Sequence, residues 1–321
     1  MAAGIKKEFP DKLLGIQAYS SHVNAPTSVK PDPLIMPILC FFASRACYTH
    51  AINDPDCPTN VAWKQQVFDP WVKMSSGISY YSYYGYSGNW QGPQLSVRTL
   101  PQDLKLIKKH NGYKVHYDGF SNWATSAPLY YLTARLPWDV DADYKSILDE
   151  WYHGVYGPAY APMKQYWETM IEGYYKGGCS SSKPKKPYLK FTPEIIERAW
   201  AHIRDAEKIV SDRLDKYQRF VAIAHAGLEY TDAMAQGYAL AANDNYAVAV
   251  AAGERALKAI KDSRMLEPGP YVNSLWCREE LNWLWYNKVS HDTRSEKRTQ
   301  DVIKSWREKV SYSESKIDNW L

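Results

Sequence analysis

Apolar residues along this chain fall into two regimes. In the first they come in short runs: Leu13–Tyr19 (LLGIQAY), Leu34–Phe42 (LIMPILCFF), Ile78–Tyr86 (ISYYSYYGY) and Tyr113–Tyr117 (YKVHY), the last following the turn pair Asn111-Gly112. Runs of this length read as strands. Runs without strict alternation read as strands buried on both faces, as in parallel sheets. Pro37 interrupts the second run and predicts a bulge or an irregular start there. Between the runs, Asn60–Lys73 and Pro101–His110 read as helices, the second because Leu104, Ile107 and Lys108 follow helical spacing. Strands alternating with helices predict parallel βα units.

From Ala127 the second regime begins, and the spacing becomes helical. Asp139–Asp143 precedes a helix whose apolar face is Tyr144, Ile147, Leu148, Trp151 and Tyr152. Gly154, Gly157 and two prolines end it, and Met163–Tyr175 follows as a further helix. The polar, Pro-containing stretch 177–189 reads as a linker. Beyond it, Thr192 at the N-cap and Pro193 at the first helical position start a long stripe: Ile196, Ala199, Ile203, Ala206, Val210, Leu214 and Tyr217. A second stripe runs from Phe220 through Ile223, Gly227, Tyr230 and Met234 to Tyr238. Tyr246–Ile260 is alanine-rich, and Arg298–Leu321 reads as a charged final helix. The expected fold is α/β over 1–176, a linker over 177–189 and an antiparallel α-helical bundle over 190–321. About four βα units are too few to close an eight-stranded barrel, and a short parallel sheet leaves exposed edges.

Composition narrows the function classes. Tyr (26) and Trp (13) far outnumber Phe (7), a bias towards rings with a polar handle, which suits half-wet clefts. A net charge of +4 from dispersed basic residues is no nucleic-acid footprint. No apolar window is long enough for a membrane span. The start, MAAGIKKEFPDK, has no apolar leader core, so no secretory signal is expected in this stretch. Five cysteines are too few for a disulfide scaffold. Cys47 and Cys57 read either as a pair in an oxidising compartment or as unpaired thiols.

Four motifs together carry a family resemblance. PDKLLGIQAYSSHVNAP, IMPILCFFASRACYTHAINDPDCPTN, the segment from Trp71 to Trp90, and WYHGVYGPAYAPMKQYW follow in order. In that order the chain, over residues 1 to about 260, resembles a bacterial glycosidase-like family, the domain of unknown function numbered 4838. That family is related to the endo-β-N-acetylglucosaminidases of glycoside hydrolase family 163 and to α-glucuronidase-like barrels. The resemblance implies that the α/β region is the C-terminal half of a (β/α) TIM-barrel-like glycosidase domain lacking its first strands. It implies a glycan or oligosaccharide partner, with N-acetylglucosamine or uronic acid units. It also implies catalytic glutamates on barrel strands, at least one of them in the half that is absent, leaving room for a second chain that supplies the missing strands. A secreted or periplasmic location goes with the family. The rival expectation is a carbohydrate-binding module without catalysis, since polysaccharide degradation needs an acid and a partner carboxylate.

Glycoside hydrolysis usually takes two carboxylates roughly 5–10 Å apart. Glu8 precedes a strand, and Glu150, Glu168 and Glu172 lie on helices. Asp118 alone follows a strand directly, beside Gly119, and is the catalytic candidate; the rival reading is a turn aspartate. Asp54 and Asp56 read as turn residues. Substrate contacts are expected from strand ends: Tyr19 and His22 after the first, His50 after the second, Tyr84, Tyr86, Asn89 and Trp90 after the third, Asn122 and Trp123 after the fourth, with Tyr80 and Tyr81 expected in the core. Rings paired with Asn suit a saccharide, whose C–H faces stack and whose hydroxyls need planar polar partners. Cys47, His50 and Cys57 lack a nearby fourth ligand, so no metal is expected. No phosphate-binding glycine loop, Rossmann fingerprint or nucleophile elbow is present, and no cofactor is expected.

Overall fold

The structure, a computed structural model, describes residues 2–41, 46–84, 93–119, 123–176, 178–179, 190–213, 215–243 and 246–264. Most of the expected linker and the expected helix Arg298–Leu321 lie outside the described residues. After the short helix α1 (Ala2–Glu8) come β1 (Leu14–Ala18) and β2 (Ile35–Phe41). Helices α2 (Pro58–Trp63) and α3 (Asp69–Met74) lead to β3 (Ile78–Ser82), and α4 (Leu100–Lys109) leads to β4 (Gly112–Tyr117). Then the chain is helical: α5 (Trp123–Arg135), α6 (Tyr144–Tyr156), α7 (Tyr160–Lys176), α8 (Pro193–Val210), α9 (Lys216–Ala241) and α10 (Tyr246–Arg264). No helix among the described residues is long and apolar enough to cross a membrane.

Local chemistry sets these boundaries. Asp143 caps α6 by accepting from the Lys145 and Ser146 N–H groups. Thr192 caps α8 with Pro193 at its first position, as the sequence predicts. The expected single helix over Asn60–Lys73 is α2 and α3 joined by a π-helical stretch, Lys64–Phe68. Pro70 has no N–H to continue the i→i−4 ladder, and the wider turn precedes it.

The sheet is four-stranded and parallel, in the order β1-β2-β3-β4. The expected irregularity at Pro37 does not occur. Pro37 sits opposite Ile16 in an unshifted register, and the pairing of β2 with β3 begins only at Ile38. Among the described residues the register shifts between Ile78 and Ser79, opposite β4.

The register divides the strands into two faces. Ala18, Leu39, Phe41, Ile78, Tyr80 and Ser82 share one face and are all buried. There Phe41 meets the Trp63 ring edge-on at 4.8 Å and the Tyr48 ring at 5.3 Å, and Tyr48 meets Tyr84 at 5.3 Å. Burying a ring of this size is worth about 1.5–3 kcal/mol. On the other face, Gln17, Lys114 and His116 are exposed, and Ile38 and Tyr81 are half-buried. Met36, Cys40, Ser79 and Tyr83 on this same face are buried, so the expected burial on both faces holds for the central strands β2 and β3 and fails at the edge strands β1 and β4. Along the two edge strands, Gly15, Ile16 and Gln17 of β1 and Tyr113 and Lys114 of β4 are exposed.

One apolar cluster runs from Ala18 to Ala259 and so includes both the sheet and the later helices. Helix α9 packs on α5, α8 and α10. Its crossing with α5 needs Gly227, where any Cβ would overlap the Ala124 carbonyl.

Under the covered face lies one carboxylate. Asp103 of α4 is 1% exposed and accepts from the Ile52 N–H at 2.7 Å and from the Tyr84 hydroxyl. Burial raises it to about 7, against the pull of those two bonds. A carboxylate in the unfolded chain titrates near ~4, so the fold favours the protonated form. The contribution of Asp103 to stability is full below about 4 and is lost as pH rises through about 7. Between pH 5 and 7.5 this loss amounts to roughly 2–3 kcal/mol. Urea unfolding of the wild type and of Asp103→Asn at both pH values checks it. The wild type should lose that much more stability than the variant, and equal losses would show that Asp103 titrates normally.

Candidate functional site

Active sites of parallel α/β folds form where the strands end. Here the C-terminal strand ends on the face of Cys40, Tyr81 and His116 carry the densest chemistry. Asp118 follows β4, half-buried, and its N–H donates to the Ser82 carbonyl at 2.9 Å, extending the ladder by one residue. Its Oδ2 accepts from the Tyr81 hydroxyl at 3.1 Å. Tyr81 lies against Tyr83, ring centroids 5.0 Å apart, and against His116 at 4.9 Å. The Tyr83 hydroxyl reaches that of Tyr19 at 3.3 Å. The site thus spans β1, β3 and β4, and Cys40 of β2 lies between them in the register row of Tyr81 and His116.

The electrostatics fit this grouping. Burial, with the negative charge of Asp118 adding to it, pushes the Cys40 thiol up to about 12, which leaves it inert. Burial also raises the Tyr81 phenol; contact with Tyr83 opposes this, and the Asp118 carboxylate adds to it. Tyr81 is therefore a neutral donor to Asp118. The arrangement offers one carboxylate fixed by a phenol, with aromatic faces beside it.

The remaining predicted residues are dispersed. His22 is exposed and pairs with Ser21 Oγ at 3.0 Å, in a turn where Ser20 takes φ +51°, a left-handed conformation uncommon for serine. Tyr84, expected at the binding end, is instead a core residue, 1% exposed and tied to Asp103. Tyr81, expected in the core, takes its place at the site. Period-two alternation explains both, since the phase that points Tyr80 at the helices points Tyr81 and Tyr83 away from them. Trp123 opens α5, 46% exposed, edge-on to Tyr130 at 5.1 Å. It also walls an apolar pocket of about 330 Å³ with Ala127, Trp151, Phe220 and Ile223. Tyr86, Asn89, Trp90 and Asn122 lie outside the described residues.

His50 belongs to a separate arrangement. Its Nδ1 pairs with Asp54 Oδ2 at 2.8 Å, a bond that holds Asp54 below the usual carboxylate range. Among the described residues no hydrogen bond, ion pair or ring contact joins His50 to Asp118 or Tyr81. The loop that carries it is organised by the fully buried Asn60. Asn60 Oδ1 accepts from the Cys47 N–H at 2.8 Å, and its Nδ2 donates to the carbonyls of Cys47, His50 and Ala51 at 3.0, 2.9 and 3.0 Å. Cys47 and Cys57 are thiols, not a disulfide. Their third neighbour is Cys179 rather than His50, and the three sulfur atoms lie within 4.8 Å of one another. Sequence spacing could not find Cys179, which comes from the far side of α7.

One family model, that of the domain of unknown function DUF4838, matches residues 1–168, just over half of the 321 residues. The match takes in all four strands, Asp118, Tyr81 and Asn60, and stops before Cys179. Comparison with curated proteins and with solved structures found no match.

Because four hydrogen bonds converge on one buried side chain, Asn60→Ala should destabilise the protein by roughly 2–4 kcal/mol. Denaturant unfolding at pH 7 checks this. A loss below about 1 kcal/mol would mean that the loop holds its shape without Asn60.

Proposed function

We propose a glycan-binding role of the glycoside hydrolase type for this chain, which belongs to the DUF4838 family. One observation carries the reading. The Asp118 carboxylate lies at the strands' C-terminal ends on one face of a parallel sheet, with the half-buried rings of Tyr19 and Tyr81 and the buried ring of Tyr83 beside it. Saccharides bury their C–H faces on such rings and donate hydroxyls to such carboxylates. Tyr81 holds Asp118 Oδ2, and among the described residues no hydrogen bond is made at Oδ1. Units bearing an acetamido or carboxylate group suit the neutral phenols and the nearby His116.

Binding is the stronger half of the reading. Hydrolysis needs a second carboxylate within about 10 Å on the opposite side of the scissile bond. The other strands are followed by Tyr19-Ser20-Ser21, by Phe42-Ala43-Ser44 and by Tyr83-Tyr84, none of which supplies one. A parallel sheet in sequential order with edges at β1 and β4 also suits the wall of a barrel, which supports the barrel-like reading of the region.

Calorimetric titration with chitobiose, N-glycan core oligosaccharides and glucuronic-acid oligomers tests the proposal. At least one class should bind, and Asp118→Ala should weaken that binding by about 10–100-fold through loss of charge-assisted hydrogen bonds. Turnover of aryl glycosides that disappears in Asp118→Asn would extend the role to catalysis. The proposal fails if no oligosaccharide binds or if Asp118→Ala binds as the wild type does.

A further inference from the structure

A second constellation lies in the loop after β2, and the glycan reading makes no use of it. Cys47 and Cys57 are buried, and Cys179, partly buried, reaches them from beyond α7. All three sulfurs fall within 4.8 Å of one another. Four thiolates or three around a tetrahedral zinc at about 2.3 Å stand about 3.8 Å apart, so only small movements separate this cluster from a coordination sphere. Contact with Cys179 and burial raise the Cys47 thiol, and burial raises that of Cys57; the backbone N–H groups of Thr49 and Asn60 donate towards the two sulfurs and oppose this. Thr49 Oγ1 lies 3.2 Å from Cys47 Sγ and donates to the Gly178 carbonyl at 2.9 Å, fixing the two segments together.

A buried cation points the same way independently. Lys190 is only 6% exposed, and its ammonium donates to the carbonyls of Tyr174 and Gly178 at 3.2 and 3.0 Å. Among the described residues no carboxylate pairs with it. A buried charge without a counter-charge is costly, and the ionisable groups acting on Lys190 are Cys47 and Cys179.

We propose that Cys47, Cys57 and Cys179 form a zinc site, with Lys190 as the neighbouring counter-charge. Binding displaces three thiol protons. Zinc with three thiolates carries a net charge of −1, which the Lys190 ammonium balances. Cys179 is the least buried of the three, so the fourth position faces the open side, where water completes the tetrahedron. The ion would clip the loop after β2, which also carries His50, to the end of α7.

The test is metal analysis of the full chain, expressed with zinc in the medium, purified without chelator and desalted. One zinc per chain is expected. Cys179→Ser should lose it while keeping its circular dichroism spectrum, and Cys40→Ser, in the sheet, should retain it. Cobalt exchanged into the wild type should give intense thiolate-to-metal charge-transfer absorption, absent in Cys179→Ser. Cys57→Ser should behave as Cys179→Ser does; because Cys57 is buried and that variant can misfold, Cys179→Ser decides alone. Copper in place of zinc, zinc content unchanged in Cys179→Ser, no zinc after reconstitution, or a Cys47–Cys57 disulfide in peptide mapping would each overturn the assignment.

Discussion

The carboxyl group of Asp103, buried beneath the sheet, is the constraint from which the rest of this structure follows. It ties three segments at once: α4, which carries it, the loop after β2 through the Ile52 N–H, and the exit of β3 through the Tyr84 hydroxyl. Rings of Tyr48, Tyr80, Tyr84 and Tyr117 surround it, and its charge reaches each of their phenols. Burial is tolerable here because both bonds it accepts are short and because the protonated form is accessible near neutral pH. Once Tyr84 is anchored inwards, the phase of β3 is fixed, and a one-residue slip would bring the opposite set of side chains to the core.

That phase places the chemistry. With Tyr80 and Tyr84 inside, Tyr81 and Tyr83 must face away from the helices, beside His116 and Asp118 on the next strand. The same loop that meets Asp103 continues into the Asn60 hub, which shapes the turn holding His50 and presents Cys47 and Cys57 to Cys179. The aromatic-carboxylate face and the thiol cluster are thus two products of one packing arrangement. The two share no residue.

Much of the fold was legible in the sequence, because four apolar runs separated by helical spacing leave few alternatives to parallel βα units. The start of α8 was equally plain, since Thr192-Pro193 supplies both a cap and a fixed φ. The site was half legible. Asp118 stood out by following a strand directly, and Tyr19 by ending one. Alternation alone, however, does not say which phase meets the helices, so Tyr81 and Tyr84 exchanged roles. His116 and Cys40 gave no signal, as ordinary members of strands. Asp103 sits in a helical pattern that reads as amphipathic surface, and its burial depends on Tyr84 and Ile52 arriving from elsewhere. Cys179 is invisible for the same reason: only the fold of α7 returns it to Cys47. The exposure of the edge strands also lay beyond reach, because apolar runs do not say which strands end a sheet.

The central claim is that a protonatable Asp103 anchors β3 from below. Its titration can be followed directly by carbon-13 NMR of the side-chain carboxyl, assigned by its disappearance in Asp103→Asn. A midpoint near 7 is predicted. A midpoint near the ordinary carboxylate value of about 4 would contradict the account, since it would place Asp103 in water and release Tyr84 from the core.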